Sequence, residues 1–163
     1  AETGDFVDFW CDERTNAGIP AGALRISEVH RNPQVVPDAN GEYVEVVNIG
    51  AIPIGLRGLQ LSDNAGTVTL ASNLMLPPGR PLLLQVDGAP ARNGGQPLGL
   101  VLPFGSIALA DTSDSVVLRQ NGIVLDSLTY TSGFPGGSGV AAERTDLLAP
   151  QQVRAICGGF EMP

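Results

Sequence analysis

The sequence predicts an all-β domain built as an antiparallel β-sandwich, and three observations predict it. Gly (21) and Pro (13) together supply 34 of the 163 residues, which cuts the chain into short segments. Those segments alternate apolar and polar residues with the two-residue period of half-buried strands. No amphipathic helix interrupts them. About eight to ten short strands at this spacing suit two packed antiparallel sheets, with a barrel as the alternative closed arrangement.

The elements follow in order. Leu24, Ile26 and Val29 bracket Arg25 and Ser27, the alternation of a half-buried strand that Asn32-Pro33 then ends. Pro37-Asp-Ala-Asn-Gly41 is turn chemistry. In Tyr43–Asn48, Val44 and Val46 share one face, with Tyr43, Glu45 and Val47 on the other. Leu59-Gln-Leu61 and Val68-Thr-Leu70 flank Ser62-Asp-Asn-Ala-Gly66 as a hairpin. Leu82–Val86 reads as a buried strand, residues 87–97 as an exposed, mobile polar loop, and Leu98–Phe104 as a further strand. Asp111-Thr-Ser-Asp114 forms a turn before the clearest hairpin, Val116–Arg119 and Ile123–Tyr130 joined through Gln120-Asn-Gly122. Asn-Gly tolerates the positive φ angles of a tight hairpin turn. Residues 132–139 form a Gly-rich loop, and Val140–Leu148 forms a last strand or one turn of helix.

Charge narrows the function. Seventeen acidic residues against nine basic ones give a net charge of −8, and all nine basic residues are Arg, scattered singly. Nucleic-acid binding needs basic groups gathered against phosphates, so neither nucleic acid nor an anionic membrane is expected as partner. No apolar run nears the roughly 20 residues of a membrane-spanning helix, so membrane insertion is not expected. The absence of Lys excludes Schiff-base chemistry.

Cys11 and Cys157 stand near the two ends. Either they form a disulfide enclosing nearly the whole domain, or they are two unrelated thiols; no Cys-x-x-Cys or His-rich neighbourhood points to metal or redox chemistry. The bridge is the expectation. It implies an oxidising compartment and stabilises by about 4–5 kcal/mol in the chain-entropy model. The organisation expected is an N-terminal extension over 1–22, a sandwich over 23–148, and a C-terminal tail over 149–163 tied back by that disulfide. Residues 1–4 suit a processing or cloning remnant, and no signal peptide is evident. Phe6, Phe9 and Trp10 are three of the eight aromatics. They suit a segment packed on the domain or, alternatively, a docking strand for a partner.

Several blocks occur in an order specific to one family. Ile26-Ser-Glu-Val29 with Asn32-Pro33 precedes Gly41-Glu-Tyr-Val-Glu-Val-Val-Asn48, then Gly58-Leu-Gln-Leu-Ser-Asp63. Leu76-Pro-Pro-Gly79 and its Leu-rich strand follow, then Asp114-Ser-Val-Val-Leu118 and Val124-Leu-Asp-Ser-Leu-Thr-Tyr130. Over about residues 23–146 the chain resembles the lamin-tail domain. The resemblance implies an immunoglobulin-like sandwich that serves as an interaction module, is not known for catalysis, and in bacteria occurs in secreted or surface proteins. The acidic surface sets the chain apart from the nuclear members. It carries over no catalytic residue.

The remaining chemistry is thin. His30 is the one histidine, so any Ser-His-acid triad must use it; a surface histidine at a strand end is the expectation. Gly136-Gly-Ser138-Gly-Val140 misses the nucleophile-elbow pattern at its last residue. Asp38, Asn40 and Glu42 around Gly41 resemble half of a calcium loop, with Asp63, Asp111 and Asp114 as further oxygen sources. The simpler reading is a turn before a strand, with no cofactor. The function expected is a non-catalytic extracellular module for protein interaction, adhesion or scaffolding, secreted or on the cell surface, that contacts another protein or surface component. Its candidate contacts are Phe9, Trp10, Arg92 and Phe134. The alternatives are a carbohydrate- or calcium-dependent ligand-binding module, or an accessory domain tethering a secreted enzyme.

Overall fold

The computed structural model describes residues 18–149 and the backbone of 153–157. Two sheets form the sandwich. The larger begins with β1 (Leu24–His30), which pairs antiparallel with β2 (Tyr43–Asn48), His30 opposite Tyr43 and Glu28 opposite Glu45. Between them, Asp38–Gly41 is a single helical turn, α1, where the sequence suggested a plain turn. Gly41 suits it because a Cβ there would run into Pro33 and Val36.

After β2 come β3 (Ile54–Gly55), β4 (Gln60–Ser62), β5 (Thr67–Thr69) and β6 (Met75–Leu76). The β4–β5 hairpin is the one expected, its turn held by the Asp63 carboxylate, which accepts the Ala65 and Gly66 N–H groups. The strands β3 and β6 pair separately. The larger sheet resumes with β7 (Pro81–Gln85), antiparallel to β2.

Two expectations fail in the next segment. The 87–97 stretch contains a helical turn, α2 (Pro90–Asn93), and Asp87, Asn93 and Gln96 are buried, so the loop is anchored and only partly exposed. The strand expected over Leu98–Phe104 shrinks to β8 (Leu100–Val101), and it runs parallel to β7. Gly99 permits that approach, because a Cβ there would meet the Leu83 carbonyl.

The hairpin of β9 (Asp114–Gln120) and β10 (Ile123–Tyr130) forms as predicted, with Asn121 and Gly122 both at positive φ, 51° and 77°. Next, β11 (Val140–Arg144) settles the alternatives for 140–148 in favour of a strand. Residues 153–157, expected within a tail, form β12 (Val153–Cys157), antiparallel to β11. The sheet orders are β12-β11-β1-β2-β7-β8 and β10-β9-β4-β5.

Inward residues of both sheets make one core, including Leu24, Ile26, Val44, Val46, Leu61, Leu84, Val116, Leu118 and Leu128. Each such aliphatic side chain contributes about 1.5–3 kcal/mol by leaving water. Ile19 also lies in this core, ahead of β1.

Candidate functional site

Asp126 of β10 is the polar junction between the sheets. Its carboxylate accepts the Ile26 N–H at 2.8 Å, Arg144 at 3.0 Å and Arg25 at 3.2 Å. Backbone irregularities in both strands bring the groups together, since β1 shifts register between Ile26 and Glu28 and β10 between Val124 and Asp126. The carboxylate is fully used by its neighbours, which marks it as structural.

Arg31, next to the end of β1, organises the Gly-rich loop. It is 4% exposed, and it donates to the carbonyls of Asp111 (3.0 Å), Pro135 (3.1 Å) and Phe134 (3.3 Å). Its guanidinium lies 4.6 Å from the Tyr130 ring centre and 5.9 Å from that of Phe134. The loop over 132–139 is therefore pinned. Phe134 is partly buried against the core and Tyr130, which leaves it little surface to offer a partner.

The other loop candidates are also anchored. Arg92 is exposed at its side chain, 67%, but forms a two-point pair with Asp87 at 2.8 and 2.9 Å. Those hydrogen bonds, with the Ala89 N–H and Asn40, hold the Asp87 carboxyl down at about 2. Asn40 donates its amide to Asp87 at 3.0 Å. Glu42 instead faces the Leu109 N–H at 3.1 Å, so the structure does not turn Asn40 and Glu42 to a common point with Asp38. Burial, aided by the charges of Asp38, Asp111 and Asp63, raises Glu42 to about 8, which keeps it protonated at neutral pH. Among the described residues no group of three or more His, Cys, Asp or Glu side chains is placed to hold a metal ion.

Across the outer face of the larger sheet runs a row of carboxylates: Glu143, Glu28 and Glu45 occupy adjacent register positions on β11, β1 and β2. The Tyr43 hydroxyl donates to Glu28 and the Ser27 hydroxyl to Glu45. Burial raises Glu28 to about 7, with a smaller push from the Glu45 and Glu143 charges, and burial also raises Glu45. His30 is buried in the same region, against the surface position expected, and stacks at a tilt on Tyr43 with ring centres 5.3 Å apart. Its Nδ1 has no hydrogen-bond partner, and burial together with the Arg31 charge lowers its pKa.

What the sequence reading missed is the margin of the larger sheet beyond β7. Leu98 is 75% exposed and Phe104 71%, with Val101 half exposed between them. Leu98 and Val101 meet over Gly88, where a Cβ would sit 2.9 and 2.8 Å from them. The available signal was the apolar run Leu98–Phe104 itself, interrupted at Gly99 and Pro103. Phe9, Trp10 and Cys11 lie outside the described residues, and Cys157 is described only as the last position of β12, opposite Val140.

An immunoglobulin-like sandwich with Asp126 and Arg31 spent on holding its sheets and loops together suits the class of interaction or structural modules. The Lamin Tail Domain family matches residues 18–132, more than half of the chain, and the chain belongs to that family. No curated protein and no solved structure matches it significantly. Among the described residues no helix is long and apolar enough to cross a membrane.

Proposed function

We propose that this chain is a non-catalytic adhesion or scaffolding module, working outside the cell, that holds another protein or a surface component. The observation that supports this reading is the apolar margin of Leu98, Val101 and Phe104, exposed beside the short β8. Exposed large apolar side chains gathered at one place mark contact surfaces more often than scattered ones do. Arg92, close by in the chain, supplies a polar rim.

The extracellular part of the proposal rests on the cysteine pair. A bridge between Cys11 and Cys157 suits an oxidising compartment. Intact mass under non-reducing conditions, with and without alkylation, tests it. Two alkylatable thiols in protein from its native source overturn the bridge and remove the support for an exported chain.

The contact surface is tested by crosslinking the protein to its native cell-surface fraction. Wild-type should retain a defined surface partner, Leu98→Asp/Phe104→Asp should lose it, and Ile123→Asp on the other sheet should keep it. Equal recovery by all three overturns the assignment of this margin.

A further inference from the structure

We propose that the Asn121–Gly122 turn is a site of spontaneous modification, where the Asn121 side-chain amide is lost as ammonia and the main chain reroutes through the side chain. The site lies at the tip of the β9–β10 hairpin and is independent of the apolar margin at β8.

This chemistry needs an asparagine amide free of partners, a following backbone N–H free to attack, and water. Three Asn-Gly pairs occur in the chain, at 40–41, 93–94 and 121–122. The fold holds two of them shut. Asn93 is fully buried and donates its amide to the carbonyls of Asp87 at 2.9 Å and Gln96 at 3.4 Å. Its own side-chain oxygen accepts the Gln96 N–H at 2.9 Å. Asn40 donates to Asp87 at 3.0 Å, and the Gly41 N–H is held on the Pro37 carbonyl at 3.0 Å. Either pair must open locally before it can react. Asn121 and Gly122, in contrast, are both exposed. Neither the Asn121 amide nor the Gly122 N–H has a hydrogen-bond partner among the described residues. A Cβ built on Gly122 would meet nothing within 4 Å, so the peptide between the two residues is open to water.

The Gly122 nitrogen gives up its proton to hydroxide and attacks Asn121 Cγ. A C–N bond forms, the Cγ–Nδ2 bond breaks, and the departing nitrogen takes a proton from water and leaves as ammonia. Water then opens the cyclic imide at one of its two carbonyls. One opening leaves aspartate at position 121; the other leaves isoaspartate, with one more methylene in the main chain. A two-residue turn with both φ angles positive, 51° and 77°, has no slack for that insertion. The distortion falls on Gln120, whose side chain accepts the Ile19 N–H at 2.6 Å and donates to the Arg57 carbonyl at 3.0 Å. Conversion therefore loosens the hold on Ile19.

Ageing the folded full chain in warm buffer at neutral pH tests this. With no Lys present trypsin cleaves after Arg alone, so Asn121 and Asn93 fall in separate peptides, 120–144 and 93–119, neither with a second Asn. Isoaspartate at position 121 should accumulate at least about tenfold faster than conversion at Asn93 or Asn40, and the difference should vanish in urea, where no local opening is needed. Ile19 amide exchange should accelerate in the aged chain but not in equally aged Asn121→Gly, which lacks the amide and tolerates the positive φ. Conversion at Asn121 no faster than at Asn93 in the folded chain overturns the proposal. A difference that persists in urea also overturns it, since local sequence would then set the rate. Ile19 exchange that changes alike in both aged chains overturns the link through Gln120.

Discussion

Arg144 and Asp126 form an ion pair at 3.0 Å with both side chains almost sealed from water. The pair joins β11 of one sheet to β10 of the other, and the Ile26 N–H completes the junction. Such a pair contributes through what its breaking leaves behind, a charge buried without its counterpart.

Arg144→Met should therefore destabilise the domain by about 3 kcal/mol, the low end for a broken buried pair because Arg25 remains on Asp126. Urea denaturation measures it. A loss below about 1 kcal/mol would show that Arg25 alone satisfies the carboxylate. Asp126→Leu combined with Arg144→Met should cost less than the two single changes added together.

Stability should fall between pH 6.5 and 8.5. Glu28 and Glu42 have folded pKa values of about 7 and about 8, above the ordinary 4.5, so the folded state holds protons that the unfolded state has lost. Their contribution is complete below 4.5 and disappears as pH rises through 7 and 8, at up to about 1.4 kcal/mol per pH unit for each group. His30 acts in the opposite direction, but only below its ordinary 6.5, because its folded pKa is lowered. Thermal melts across this window should show the decline, and Glu42→Gln should flatten its upper part. A melting temperature that is level from pH 6.5 to 8.5 contradicts the burial of these carboxyls.

Arg31→Lys should loosen the Gly-rich loop. An ammonium cannot reproduce a planar fork that serves three carbonyls while stacked on Tyr130. Amide exchange at Phe134 and Gly137, whose N–H groups bond to Thr131 and Val140, should accelerate by an order of magnitude or more. Unchanged protection there would mean that the backbone bonds hold the loop unaided.

Calcium should have no effect on the melt. Asn40 turns its donor end to Asp87, and Glu42 is protonated at neutral pH. Equal melting temperatures in EDTA and in millimolar calcium are expected. A rise with calcium would mean that ion binding strips the Glu42 proton, and it should then vanish in Glu42→Gln.

Local pattern carried much of the fold. The Asn121-Gly122 turn and the alternation in β1, β2 and β9 are written within a few residues of each element, where steric and solvation preferences act. The misses share a different cause. Arg31 drew no reading from the sequence because its partners are backbone carbonyls 80 to 104 residues away, and carbonyls leave no trace in side-chain identity. His30 carries no mark of burial until Tyr43 is set beside it. The parallel β8 has two residues, too few for any period, and its position depends on the missing side chain at Gly99. Leu98 and Phe104 looked like strand interior because an apolar run does not say which side of it meets water.

The placement of β11 beside β1 also bears on synthesis. The strand made first among the described ones receives one of its two neighbours only when residues 140–144 have emerged. Until then β1 is a bare edge, rich in unpaired N–H and C=O groups. A chain released by the ribosome before Val140 would keep that edge for its lifetime, and would leave Asp126 without Arg144. Premature termination in this short stretch should thus yield aggregating, protease-sensitive product in place of a slightly shorter functional domain.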